Sequence, residues 1–213
     1  MARRGALIVF EGLDRSGKST QVGRVVQRLQ KRGLDACAMN FPNRTTAVGS
    51  VINAYLKSGN DLDDAAIHLL FSANRWEAAK QMRAKMEAGE TIVLDRYAFS
   101  GVAFSAAKGT LSYDWCKAPD RGLPAPDIVL YLDVPAEVAQ KRGGYGEERY
   151  EQPEVQEKVR AVFKQMQEED ASMWHVVDAA QTLDEVTEIV SEIAVQTVEK
   201  AASQPIGALW ESK

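Results

Sequence analysis

Residues 12–19 read Gly12-Leu13-Asp14-Arg15-Ser16-Gly17-Lys18-Ser19, which fits Gly-x-x-x-x-Gly-Lys-[Ser/Thr]. No other stretch constrains the fold as much. Such a loop works between a buried strand and a helix N-terminus, which together aim several backbone N–H groups at one anion. The flanks comply. Residues 6–10 form a short apolar run that reads as a buried strand, and from Lys18 onward the pattern is helical. Gly12 and Gly17 let the backbone approach a polyphosphate closely. Lys18 would reach the β- and γ-phosphates, Ser19 would ligate Mg²⁺, and Ser16 and Thr20 complete the polar run. Asp14 and Arg15 place opposite charges inside the loop.

The rest of the chain alternates apolar runs with helical patterns, which predicts a parallel sheet covered by helices. Strands are predicted at 6–11, 35–40, 91–95, 127–133 and 174–177. Val22, Val25, Val26 and Leu29 share one helix face, and Gly33 is placed to end that helix. Asp61 is expected to cap a helix running through His68, Leu69 and Phe71 toward Gly89. Val155, Val159, Val162, Phe163 and Met166 mark a further amphipathic helix. Thr182 with Glu185 predicts a capping box ahead of Val186, Ile189, Val190 and Ile193. The fold class is therefore α/β: a P-loop NTPase-like five-stranded parallel sheet, flanked by helices on both faces, with a lid. At 213 residues the chain suits one domain, 1–213.

Four further groups point to chemistry. Asp95 ends a buried strand where its carboxylate could hold the water shell of Mg²⁺, or could instead cap the next helix. Arg96 follows it, a bidentate anion ligand at a crevice that already collects phosphates. Phe41-Pro42-Asn43-Arg44 follows the second strand. Its proline stiffens the turn with either isomer open, and Arg44 faces either anions or water. Phe71 and Arg75 are i, i+4 neighbours, an aromatic plate beside a donor fork that suits a planar base; the competing reading is a core Phe and a surface ion pair. Residues 142–150, Arg142 through Tyr150, combine three glycines with charges and tyrosines. They read as a lid over phosphates or as a plain connector.

Bulk properties narrow the classes. A formal net charge of −4 weighs against sequence-independent nucleic-acid binding. Cys37 and Cys116 lack metal-ligand spacing and read as free thiols. The apolar run after the basic N-terminus ends at Glu11, too short for a signal-peptide core, and no segment could span a membrane. The expected location is cytoplasmic.

Together these residues resemble the thymidylate kinase family, in the form found in eukaryotes and their large DNA viruses. The resemblance rests on residues 4–20, Phe41-Pro42-x-Arg44, residues 68–77 and residues 95–103. It continues through Gly122-Leu123-Pro124-x-Pro126-Asp127, Glu148-Arg149-Tyr150-Glu151 and Leu209-Trp210, and so spans nearly the whole chain in order. It implies phosphoryl transfer from ATP to dTMP with Mg²⁺, in dTTP biosynthesis, by a homodimer; from the charge and hydropathy above, no nucleic-acid or membrane partner is expected. It also implies roles. Asp14 contacts the 3′-hydroxyl of dTMP, and Arg15 is the catalytic arginine of the loop. Arg44 and Arg96 hold the acceptor phosphate. Phe71 stacks on thymine and Arg75 bonds its edge. Phe41, Ser100, Gly101 and Phe104 line the acceptor pocket, Tyr150 crowds the 2′ position, and Arg142 lies near the donor adenine. One departure is Asn43, where the family usually carries Glu. Asn keeps hydrogen-bonding capacity and loses a charge, so Arg44 or Mg²⁺ handling would differ here if that Glu orders either. A kinase for another nucleoside or nucleoside monophosphate is the alternative. A GTP-driven switch would share the phosphate loop, but the guanine-reading Asn-Lys-x-Asp that it needs is absent from this sequence.

Overall fold

The computed structural model describes residues 3–140, 149–150 and 152–211. Five parallel strands form one sheet in the order β2-β3-β1-β4-β5. They are β1 (Leu7–Glu11), β2 (Ala36–Asn40), β3 (Thr91–Asp95), β4 (Ile128–Asp133) and β5 (Trp174–Asp178). The apolar runs located all five, with ends shifted by one residue at most. β1 sits at the centre because every one of its residues is buried.

Strand alternation sets the layers. Leu7 and Val9 point to one face, Ile8 and Phe10 to the other. The first face is covered by α3 (Asp64–Glu87), α4 (Ala98–Ala106) and α7 (Pro153–Glu169), through Met82, Met86, Phe99, Val102, Val159 and Phe163. The second is covered by α1 (Lys18–Lys31) and α8 (Leu183–Ala201), through Val22, Val25, Leu29, Val190 and Ala194. Fully burying one large apolar side chain in such a layer contributes about 1.5–3 kcal/mol. A smaller cluster of Ile52, Tyr55, Leu56 and Ile67 joins α2 (Ala47–Leu56) to α3. Two short helices, α5 (Tyr113–Lys117) and α6 (Ala136–Gln140), complete the set among the described residues.

The same alternation aims the carboxylates at the strand ends. Glu11 shares a face with Leu7 and Val9, so it points toward α4. Asp95 shares a face with Val93, so it points toward α1. The catalytic edge is thus an extension of the pleat.

Helix ends follow capping chemistry, with one correction. Asp63, rather than Asp61, caps α3: its carboxylate accepts from the Ala65 N–H at 2.9 Å. The helix begins at Asp64, and only the residue directly before it can reach the free N–H groups of the first turn. Asp61 instead pairs with Arg149 at 3.0 Å. Gly33 follows α1 with φ 76, and Thr182 and Glu185 form the capping box of α8. α2 and α4 carry no clear apolar stripe in the sequence. α4 is covered nearly all round, which removes the two-sided pattern that would have marked it. Cys37 and Cys116 are free, and no helix among the described residues is long and apolar enough to cross a membrane.

Candidate active site

The phosphate loop leaves β1 and enters α1 at Gly17, the N-cap, which has φ 97 and no side-chain cap. The N–H groups of the first turn are therefore left for an anion. Gly12 has φ 144, and a Cβ there would lie 2.7 Å from the Leu132 carbonyl oxygen, so only glycine fits. Lys18 is buried. Its Nζ donates to the carbonyls of Leu13 at 2.7 Å and Gly12 at 3.1 Å, and to Ser16 Oγ at 3.3 Å. Burial, then the charge of Arg96, pulls its pKa down to about 8 against the opposing pull of Asp95, Asp14 and Glu11. The Ser19 hydroxyl donates to the Asp95 carboxylate.

Arg15 and Arg96 both adopt left-handed backbone, with φ of 62 and 66. Each such residue costs about 1–3 kcal/mol, a strain that gathers at functional sites. Arg96 donates to the Asp14 carboxylate, to Gly12 O at 3.2 Å and to Ser100 Oγ at 2.9 Å, and its guanidinium lies 5.2 Å from the Phe104 ring centre. Burial would raise the Asp14 pKa, but Arg96, Lys18, Gln156 and Arg15 together outweigh it and hold the carboxyl below its usual range. Gln156, on α7, clamps Asp14 from the other side. Its Nε2 donates to Asp14 Oδ2 at 2.7 Å and its Oε1 accepts from the Asp14 N–H at 3.1 Å.

Beneath this layer lies Glu11, fully buried. Its carboxylate accepts from the N–H groups of Tyr97 (2.9 Å) and Ser100 (3.0 Å) and from Ser100 Oγ (2.5 Å). Glu11 therefore does for α4 what a capping residue does, and Asp95 is released for Ser19. Burial raises the Glu11 pKa; Arg96 and these hydrogen bonds oppose it.

The base-sized pocket is built by Leu56, Phe71, Arg75, Tyr97, Ser100, Gly101, Phe104, Ser105 and Tyr150. Phe71 and Arg75 both line it, but Arg75 is not in a surface ion pair. It is 2 % exposed and grips Asp120, which is 0 % exposed, through Nε at 3.0 Å and Nη2 at 2.6 Å. Ser72 Oγ bonds the same carboxylate at 2.8 Å. Gly101 makes this possible, since a Cβ there would meet the Arg75 guanidinium at 2.7 Å.

Arg44 sits at the sheet edge, where its Nη1 donates to Asn53 Oδ1 at 3.0 Å. The Phe41–Pro42 bond is cis. Asn74 holds the turn by accepting from the Asn43 N–H at 2.7 Å. The Asn43 side chain accepts from Thr45 N at 3.1 Å and Thr45 Oγ1 at 2.7 Å, so it braces its own turn. Losing such neutral bonds costs about 0.5–1.5 kcal/mol each. Asn43→Ala is therefore expected to raise the acceptor KM about two- to tenfold with an unchanged Mg²⁺ titration, measured by steady-state rates.

Two cavities meet here. The larger, about 780 Å³, is lined by residues 14–21 of the loop and by Asn40, Asp95, Ala179, Gln181, Leu183 and Val186. The other is the base-sized pocket. Asp14, Phe41, Pro42, Arg44 and Arg96 line both and form the wall between them. Every site residue expected from the sequence lines or flanks one of these cavities, except Arg142, which lies outside the described residues along with the rest of 142–148.

Sequence reasoning missed Glu11, Asp120, Gln156 and the 179–186 edge. Glu11 left a signal, a carboxylate closing an otherwise apolar strand. Gln156 did too: it falls on the buried face of Val159, Phe163 and Met166. Asp120 left none, because it sits in a short 3₁₀ turn 45 residues from Arg75.

The thymidylate kinase family model matches residues 10–190. Thymidylate kinase from Danio rerio is 47% identical over 208 residues, covering 98% of both chains. That from Homo sapiens is 45% identical over 210 residues, covering 99% of both. The solved structure of thymidylate kinase from Candida albicans superposes with a TM-score of 0.88 at 37% identity, covering 98% of this chain and 99% of that one.

Proposed function

This chain belongs to the thymidylate kinase family, and we infer from its site how it moves the γ-phosphoryl group of ATP onto dTMP. The observation that carries the assignment is the shared wall: one cavity ends in the phosphate loop, the other in an aromatic pocket, and cations stand between them.

ATP takes the larger cavity. Its phosphates lie along Gly12, Ser16, Gly17, Lys18, Ser19 and Thr20, and its adenine lies toward Ala179, Gln181 and Leu183. The acceptor takes the pocket. Phe71 stacks on thymine and Arg75 bonds its edge, the buried Asp120 holding the guanidinium fork in place. Asp14 meets the 3′-hydroxyl, and Tyr150 crowds the 2′ position. The acceptor oxygen is already anionic at neutral pH, so no general base is required. The difficulty is Coulombic, two polyanions brought end to end, and Lys18, Arg15, Arg44 and Arg96 neutralise and align them. Ser19 and Asp95 present hard oxygen donors of the kind Mg²⁺ prefers and would hold the ion there; it would supply further charge neutralisation on the phosphates.

A coupled ADP-release assay with ATP and dTMP, dUMP, UMP or thymidine tests the reading. The expected order places dTMP first in kcat/KM; a higher value for UMP or thymidine overturns it. A pH prediction follows from Lys18. Its folded pKa of about 8 lies below the ordinary 10.5, so free enzyme loses the ammonium as pH rises through about 8. kcat/KM for ATP is expected to fall there, and Lys18→Arg to lack that limb. The sign for stability is opposite. Above about 8 the unfolded chain binds the extra proton, so this group adds stability between about 8 and 10.5.

We further propose a homodimer, on the strength of Leu69 and Trp76 on α3 and Val51 on α2, large apolar side chains left exposed. The two free thiols support a cytoplasmic location.

A further inference from the structure

Lys108 follows α4, outside both cavities, and no step above uses it. Its ammonium lies 5.5 Å from the centre of the Tyr55 ring and 5.3 Å from that of Tyr150. It also donates to Tyr55 Oη at 3.0 Å and to Asp64 Oδ1 at 2.6 Å. Asp64 is fixed in turn by Thr110 Oγ1 at 2.6 Å. The Tyr150 hydroxyl donates to Tyr55 Oη at 3.3 Å, and its ring packs 5.3 Å from Phe104. One cation thus joins the end of α2, the start of α3, the turn after α4 and the residue that closes the acceptor pocket.

The backbone of Tyr150 is held separately. The Arg149 N–H donates to Leu56 O at 3.2 Å, and Gln156 Nε2 donates to Tyr150 O at 2.8 Å. These bonds fix the chain and leave the ring its side-chain torsions. The ring's orientation is set by Phe104 on one side and by the Lys108–Tyr55 pair on the other. Excluding a 2′-hydroxyl by crowding depends on that orientation, because a ring that turns aside opens room for one oxygen atom.

We propose that Lys108 is a positioning residue for sugar specificity: through Tyr55 it holds the Tyr150 ring against the acceptor pocket, and so sets discrimination between deoxyribose and ribose monophosphates. This rests on the reading that Tyr150 crowds the 2′ position. Lys108 touches no reacting atom. Its effect belongs in the acceptor's specificity and not in the use of ATP.

The test compares kcat/KM for dTMP with that for 5-methyluridine 5′-monophosphate, which differs only by the 2′-hydroxyl. Lys108→Met, which keeps the stem and removes the charge, is expected to lower this ratio about tenfold, ~1.4 kcal/mol. The KM for ATP should stay within about twofold, and Lys108→Arg should restore the ratio. Tyr150→Ala should lower it at least as far, with Lys108→Met in that background adding nothing, since both act through one ring. If Tyr150→Ala lowers the ratio and Lys108→Met does not, the role of Lys108 is overturned and that of Tyr150 stands. If Tyr150→Ala leaves the ratio unchanged, the Tyr150 reading falls and the inference with it. An additive double variant also overturns the inference. Should Lys108→Met fail to melt cooperatively, Tyr55→Phe decides. It deletes only the hydroxyl shared by Lys108 and Tyr150, and an unchanged ratio there refutes the proposal.

Discussion

Lys18→Ala is expected to lose about a thousandfold in kcat, the scale on which one preorganised charge stabilises a transition state. Its thermal midpoint should move only a few degrees. The two effects separate because Lys18 makes no buried ion pair among the described residues. Its bonds go to Gly12 O, Leu13 O and Ser16 Oγ, at the mouth of the larger cavity. When the ammonium is removed, water can reach those carbonyls, and the carboxylates nearby keep their own partners: Asp14 keeps Arg96 and Gln156, and Asp95 keeps Ser19. The charge also pays a desolvation penalty, visible as its lowered pKa, which the alanine variant escapes. Steady-state kinetics with a melting curve on the same preparation measure both. A purified variant within tenfold of wild-type kcat counts against the role, and so does a loss of activity that merely tracks unfolding. Arg15→Ala should follow the same pattern.

Arg75→Ala is expected to behave in the opposite way, losing stability as well as function. The guanidinium and the Asp120 carboxylate are each almost wholly buried, and they bond through two nitrogens. Removing one partner of a buried pair costs about 3–5 kcal/mol, because the other charge stays behind without compensation. Among the described residues, Ser72 would be left as the one side-chain donor to Asp120. The urea midpoint should fall accordingly, and dTMP binding should weaken while ATP binding in the folded fraction holds. Arg75→Met with Asp120→Leu separates the two contributions. Replacing the pair by apolar groups of similar volume is often neutral for stability. The double variant is therefore expected to recover the urea midpoint and still bind dTMP poorly. Recovery of both would remove Arg75 from base reading.

These expectations differ because of how much of each residue's setting is local. The partners of Lys18 lie within six residues of it, inside the loop that sequence identifies. The partner of Arg75 is 45 residues away, in a turn with no periodic pattern. An i, i+4 pair of Phe and Arg says that two side chains share a helix face; it does not say what that face meets. Asn43 makes the same point. As a departure from Glu it pointed to altered Arg44 or Mg²⁺ handling only if that Glu orders either; that its oxygen accepts from Thr45 in its own turn was not legible.

By itself the sequence determined the five strands, the phosphate loop between the first strand and first helix, and most of the residues that face the two cavities. These are encoded by short-range periodicity and by backbone conformations that few residues tolerate, so they can be read from neighbours along the chain. Only the tertiary structure decided that Glu11 caps α4 and frees Asp95, that Asp120 pins Arg75, that Gln156 orients Asp14, and that Lys108 stands over Tyr150. Each joins groups 42 or more residues apart. A polar side chain's partner is whatever the packed layers bring within about 3 Å, and no local pattern carries that distance.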